Sequence, residues 1–172
     1  VEVCSPGALS MSESGSMVLD QEACIGCAAC LLTCRHGGLS VNWDVDLRQF
    51  VEKMIEYAGA VLSCFAHPPL HISFLQSVTP GCDCIGYSDA PVCPDIGILA
   101  SYDPVALDSA CLDLANQAPC LHPSRLPVEC RPGMDKFTAL HPRSQHEHGL
   151  DYAQSLGLGF RSYQLVPTAS DD

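Results

Sequence analysis

A chain of 172 residues with 47% apolar side chains can build one globular domain plus a small accessory module, and no more. Its formal net charge is −12, with 20 acidic residues against 8 Lys plus Arg. That balance argues against nucleic acid and anionic membranes as partners, because both require a basic face. No apolar run approaches the ~20 residues of a membrane span.

The chain opens V-E-V-C-S-P-G-A-L, a cysteine followed by a Pro-Gly turn. Ser10–Ser16 reads as a small polar connector, and Met17–Leu19 as a short strand. Next comes C-I-G-C-A-A-C-L-L-T-C, in which Cys24, Cys27, Cys30 and Cys34 are spaced C-x2-C-x2-C-x3-C. This is the ligand spacing of a bacterial [4Fe–4S] site. A cubane cluster needs four thiolates, and three cysteines at x2 spacing can wrap one face of it. Gly26 gives the loop freedom to turn.

In two-cluster ferredoxins the fourth cysteine of the run ligates the other cluster. Cys34-R-H-G-G-L is a degenerate copy of the turn after Cys4, so the two cysteines occupy equivalent positions of a repeat of about 30 residues. The crossed rule assigns Cys4 to the cluster of Cys24, Cys27 and Cys30. Cys34 then serves a second cluster, whose remaining ligands are expected upstream in a longer parent protein. The alternative is that Cys34 closes the cluster itself and Cys4 is a terminal thiol. Zinc knuckles and disulfides compete for such cysteines. Zinc sites, however, usually join two separated C-x2-C pairs, and disulfide frameworks usually belong to shorter secreted domains.

A helix is predicted over Val45–Leu62, with Asp44 or Asp46 as its cap. Its apolar stripe (Leu47, Val51, Met54, Ile55, Ala58 among others) is expected to be buried, with Arg48, Glu52, Lys53 and Glu56 on the solvent face. Leu70–Val78 reads as a strand, broken by Pro80-Gly81. Cys82-Asp83-Cys84 opens a polar loop to Pro94. Cys82 and Cys84, with Cys93 nearby, are candidates for a second metal or a redox thiol pair. The bland reading makes them small buried hydrophobes. Asp89, Asp95, Asp103 and Asp108 crowd the same stretch.

Asp95–Ala100 reads as a strand. Asp103-Pro104 is a strong helix start, and the helix should run to about Asn116, burying Val105, Leu107, Ala110, Cys111 and Leu114. Pro119–Pro132 is irregular. Asp135–Leu140 and Glu147–Leu156 are predicted helices, and Phe160–Val166 a last strand. His146 and His148 lie two apart, a spacing that does not share a helical face. No nucleotide-binding loop or nucleophile elbow occurs.

The alternation predicts an α/β (or α+β) class with a mixed or parallel sheet. Residues 1–42 form the cluster segment, 43–167 the α/β domain and 168–172 a tail. A reducing cytoplasmic setting fits free thiols and clusters. The expected partner is a redox protein that docks on an acidic surface, and self-association is left open.

The stretch C-D-C-I-G-Y-S-D-A-P-V-C-P-D-I-G-I-L-A-S-Y-D-P-V-A-L-D-S-A-C-L-D-L, with H-G-L-D-Y-A-Q-S-L-G-L-G-F-R-S-Y-Q-L-V near the end, resembles a family of uncharacterised Fe–S-centre proteins. In that family a domain of unknown function accompanies a two-cluster ferredoxin module, and this chain resembles its second half. The resemblance implies a [4Fe–4S] cluster on Cys24, Cys27 and Cys30, with Cys4 and Cys34 in the tail positions. Its Cys-Asp-Cys element falls on Cys82–Cys84. It implies no known reaction. Arg35 stands where a ferredoxin tail has Pro, and Ser5 intervenes before Pro6. The expected function is single-electron transfer. Alternatives are a redox enzyme with its site at Cys82/Cys84, or a structural or sensing cluster.

Overall fold

The computed structural model describes residues 1–40, 46–82 and 86–168. It divides into two compact units, Val1–Val45 and Asp46–Asp172.

In the first unit, β1 (Leu9–Met11) pairs antiparallel with β2 (Met17–Leu19), Leu9 opposite Leu19 and Met11 opposite Met17. Ser10 and Met11, read from sequence as connector, are therefore strand. The turn closes with a bond from Ser12 N to Ser16 O (2.8 Å), with Gly15 left-handed at φ 79°. Asp20 then accepts from the amides of Glu22 and Ala23 and leads the chain into the cysteine loop. The loop ends in α1 (Ala29–Thr33). Only Ala8 and Leu9 are buried apolar residues among those described here, so burial contributes little to holding this unit.

The second unit contains α2 (Leu47–Leu62), β3 (His71–Leu75), β4 (Gly97–Ser101), α3 (Pro104–Gln117), α4 (Lys136–Leu140) and α5 (His146–Ser155). The α/β class holds, but the sheet is not mixed or parallel. β3 and β4 pair antiparallel, His71 opposite Ser101 and Leu75 opposite Gly97. The excursion between them returns the chain to the neighbouring position with no crossover helix among the described residues, which parallel pairing would need.

One face of this ribbon packs on α3. The other leaves Ile72, Phe74 and Ile98 exposed. Past Leu75, the amide of Ser77 donates to the Asp95 carboxylate at 2.8 Å. The predicted strand thus ends three residues early, because a side chain replaces the ladder partner.

Asp103 caps α3 as the sequence indicates, accepting from Ala106 N at 2.9 Å, with Pro104 beginning the helix. The buried side differs in part from expectation. Val105, Leu107 and Ala110 are buried, but Leu112 and Ala115 are too, while Cys111 and Leu114 are only partly covered. The helix is covered over more than one stripe, so a single-face reading misplaces its edges.

Lys136 is the least expected core residue, at 1% exposure. Its ammonium donates to Asn116 O (2.7 Å) and Ala118 O (2.8 Å), and its amide donates to Asn116 Oδ1 (2.9 Å). A cation at the carbonyl end of α3 meets the negative end of the helix dipole. Burial lowers the Lys136 pKa, partly offset by the Cys93 thiol. Val92, Cys93 and Leu126 form the adjacent apolar cluster. Cys120 and Cys130 join as a disulfide beside it.

The predicted helix at 45–62 begins at Leu47, with Asp46 accepting from Arg48 N at 2.9 Å; Asp44 lies outside the described residues. Its apolar stripe is not buried: no residue of α2 is fully covered, and Met54 is 53% exposed. Glu52 and Glu56, expected to face water, instead bind α5. His148 Nε2 lies 2.8 Å from Glu52 Oε1, and Tyr152 Oη donates to Glu56 Oε1 at 2.7 Å. Both pairs are four residues apart along their helices, so the polar contacts run as a ladder.

The last predicted strand, Phe160–Val166, is not a strand. Phe160 N donates to Asp103 Oδ2 (2.8 Å), Arg161 N to Gln154 Oε1 (2.8 Å), and Tyr163 Oη to Asp113 Oδ2 (2.7 Å). These anchors take the place of a ladder. No helix among the described residues is long and apolar enough to cross a membrane.

Candidate metal centre

The cysteine loop is shaped by its backbone. Gly26 (φ 69°) and Ala28 (φ 58°) both lie in the left-handed region on either side of Cys27. For Ala28 this conformation costs about 1–2 kcal/mol, so the surrounding turns must hold it. The Leu31 and Leu32 amides both donate to Ala28 O and start α1 there. Cys24 and Cys27 are exposed, Cys30 and Cys34 partly covered, and Cys4 partly covered at its own turn, where Gly7 N donates to Cys4 O at 3.0 Å. All five are free thiols.

Cys34 follows α1, and its amide donates to Cys30 O at 3.0 Å. Its sulfur faces the backbone of the next four residues. Amides of His36 and Gly38, with smaller contributions from Leu39 and Gly37, donate toward it and lower its pKa, against the opposing effect of desolvation. A Cβ at Gly38 would stand 3.9 Å from this sulfur, so the backbone itself forms the wall. Such donors stabilise a thiolate, and hydrogen bonds to sulfur also set the potential of a cluster.

Among the described residues, no three Cys, His, Asp or Glu side chains converge in the geometry of a metal site. The fit of a cluster therefore rests on the donor set: five free thiols, a left-handed loop around Cys27 and an amide-lined sulfur at Cys34. These are soft ligands of the kind that iron–sulfur clusters take.

The second candidate is divided. Cys84 and Asp83 lie outside the described residues. Cys82 is exposed and lines a recess of ≈170 Å³ with Thr79, Lys136, Phe137 and His141. His141 Nε2 is 2.6 Å from Pro80 O, which fixes the ring against the loop. Cys93 is buried where Cys82 is exposed, and burial raises its pKa, which makes it a poor thiolate.

The aspartates serve mostly structural ends: Asp89 pairs with Arg125 at 3.6 Å, Asp95 holds Ser77, and Asp103 caps α3. His146 and His148 diverge as their spacing implies. His146 Nδ1 contacts Ser144 Oγ (2.9 Å), and its Nε2 is 3.2 Å from Asp135 Oδ2, within ion-pair reach but out of hydrogen-bond alignment. Sequence reasoning missed Lys136 and the Cys120–Cys130 bond. The first has no periodic signal, and the second cannot be assigned from spacing.

Comparison with known proteins adds a redox relative. The chain is 38% identical over 56 residues to a selenate reductase subunit of Mesobacillus selenatarsenatis, a match covering 33% of this chain and 19% of that protein. The chain thus spans about a fifth of the length of this curated relative. No solved structure matches. The family model for a domain of unknown function, DUF362, matches residues 9–113, which runs from β1 through the cysteine loop into α3, and the chain belongs to that family.

Proposed function

We propose that this protein binds a [4Fe–4S] cluster and passes single electrons to or from a partner protein. The observation that carries the reading is the C-x2-C-x2-C-x3-C run of free thiols at Cys24–Cys34. The similarity to a component of a selenate reductase supports a redox role.

Cys24, Cys27 and Cys30 would hold three irons, with Cys4 as the crossed fourth ligand and Cys34 as its alternative. When bound, the cluster supplies one-electron chemistry. The chain contributes thiolates, a loop already turned at Gly26 and Ala28, and amides aimed at sulfur. Those amides stabilise negative charge, so they favour the reduced state of any cluster they touch. The acidic surface suits a partner with a basic docking face.

The test is iron and acid-labile sulfide per chain after anaerobic reconstitution, with EPR before and after dithionite. About four of each, with a signal on reduction, is the expected result for one cubane. Zinc without sulfide, or no metal at all, would overturn the proposal. Cys27→Ser should lose most of the iron, while Cys111→Ser keeps it.

A second reading, a redox enzyme working at Cys82/Cys84, is favoured by the recess beside Cys82 with Lys136 and His141 on its wall. A further metal that persists in Cys27→Ser and disappears in Cys82→Ser would support it.

A further inference from the structure

An open recess of ≈510 Å³ lies between α2, α3 and α5; Cys82 is not among its lining residues, though Val78, Ala115 and Phe137 border both this recess and the smaller one beside Cys82. Val51, Met54 and Ile55 of α2 form one wall, and Leu112, Asp108 and Cys111 of α3 face them. Its size falls in the ~300–1,000 Å³ range of small-molecule sites.

The recess is kept open by its frame. The His148–Glu52 and Tyr152–Glu56 contacts fix α5 against α2 along a polar edge. Beside them α5 packs closely on a side chain of α2, since a Cβ at Gly149 would lie 3.0 Å from Val51 Cγ1. The helices thus meet along one line, and the apolar stripe of α2 is left partly uncovered, as Met54 illustrates. Filling it would remove apolar surface from water at about 25 cal/mol per Å².

Charge selects the occupant. None of the lining residues is Lys or Arg, and Asp108 is the one acid among them. His146, also on the wall, has Asp135 beside it. Burial raises the pKa of Asp108, and His71 of β3, close enough to interact with it, partly opposes that shift. Cys111, one turn along α3 from Asp108, is held by Ser73. A carboxylate or phosphate ligand would find no Lys or Arg on the wall and would face Asp108, whereas an amine would find an acceptor in that carboxylate. The chain's net charge of −12 further enriches cations near its surface.

We propose that this recess binds a hydrophobic amine, its apolar body against Val51, Met54, Ile55 and Leu112 and its ammonium at Asp108. Cys111 is a reporter inside the site, and Cys64 is an exposed thiol outside it.

The experiment uses the full chain and two isosteric probes, 2-naphthylmethylamine and 2-naphthoate. Naphthalene fluorescence gives the affinity, and peptide-resolved alkylation by N-ethylmaleimide gives the location. The amine is expected to slow labelling of Cys111 and leave Cys64 unchanged, while the naphthoate does neither. Asp108→Asn, a substitution at a solvent-accessible position, should weaken the amine about two- to fivefold, the size of a partly exposed ion pair. Absence of protection by the amine, equal protection by the naphthoate, or an unchanged amine affinity in folded Asp108→Asn would each overturn the proposal.

Discussion

One carboxylate holds two distant parts of the chain: Asp103 Oδ2 accepts the backbone N–H of Phe160 at 2.8 Å while its Oδ1 accepts that of Ala106 at 2.9 Å. The cap of α3 is therefore also the anchor of the C-terminal segment. Gly159 lies so close that a Cβ there would enter the van der Waals shell of the Asp103 carboxyl group.

Asp103→Ala should cost more than an ordinary cap. Loss of the cap alone is worth about 0.5–2 kcal/mol, and the Phe160 amide loses its acceptor as well. Gly159→Ala should be destabilising by pushing the same carboxylate out of place. Urea unfolding of both variants checks this, together with amide exchange at Phe160, which should accelerate in each.

Lys136→Met keeps the buried stem but removes the donor from Asn116 O and Ala118 O. The Asn116 carbonyl retains the Gly133 amide at 2.8 Å, so the loss falls mainly on Ala118. A destabilisation of about 1–3 kcal/mol is expected, the penalty of a buried acceptor without a partner. Chemical denaturation would read it, and unchanged stability would mean that relief from burying the ammonium cancels the lost bonds.

The α2–α5 ladder predicts an acid limb. His148 first, and Arg48 second, hold Glu52 below the ordinary glutamate value of 4.5. A carboxyl group depressed in the folded state adds stability above its unfolded value and loses it as pH falls through the folded one. Thermal midpoints measured from pH 7 to pH 3 should therefore drop below about 4.5. Glu52→Gln should start lower at neutral pH and show a shallower fall.

Ligand choice at the cysteine loop can be read by pairing two variants. If Cys4 completes the cluster, Cys4→Ser should lower iron content and alter the EPR line shape, while Cys34→Ser leaves both intact. The reverse pattern assigns Cys34. Under either outcome Gly38→Ala, which adds a methyl in ordinary van der Waals contact with the Cys34 sulfur at 3.9 Å, should change properties of the cluster only if Cys34 ligates it.

Legibility followed locality. Asp103-Pro104 and Asp46 were readable because a cap depends on its own next few residues. The C-x2-C-x2-C-x3-C spacing is visible because all four cysteines fall within one short run of the chain. The helical period of residues 47–62 was visible, but not what covers it: burial of Met54 depends on partners that a period does not name. Tyr163, Leu165 and Val166 have strand chemistry, yet Asp103, Gln154 and Asp113 from elsewhere capture the segment first. Antiparallel pairing of β3 and β4, the Lys136 contacts and the Cys120–Cys130 bond are likewise long-range choices. That disulfide also departs from a uniformly reduced set of thiols, since such bonds persist under oxidising conditions.

Asn116 gives the region around that bond a further property. Its carbonyl and side chain receive the chain again at Gly133 and Lys136, so the stretch from 117 to 135 leaves and returns to one point. Within it, Cys120 and Cys130 close a smaller ring. A protease that cuts once between those cysteines would release no fragment. The nicked protein would migrate as a single species until a reductant was added, and only then part into two.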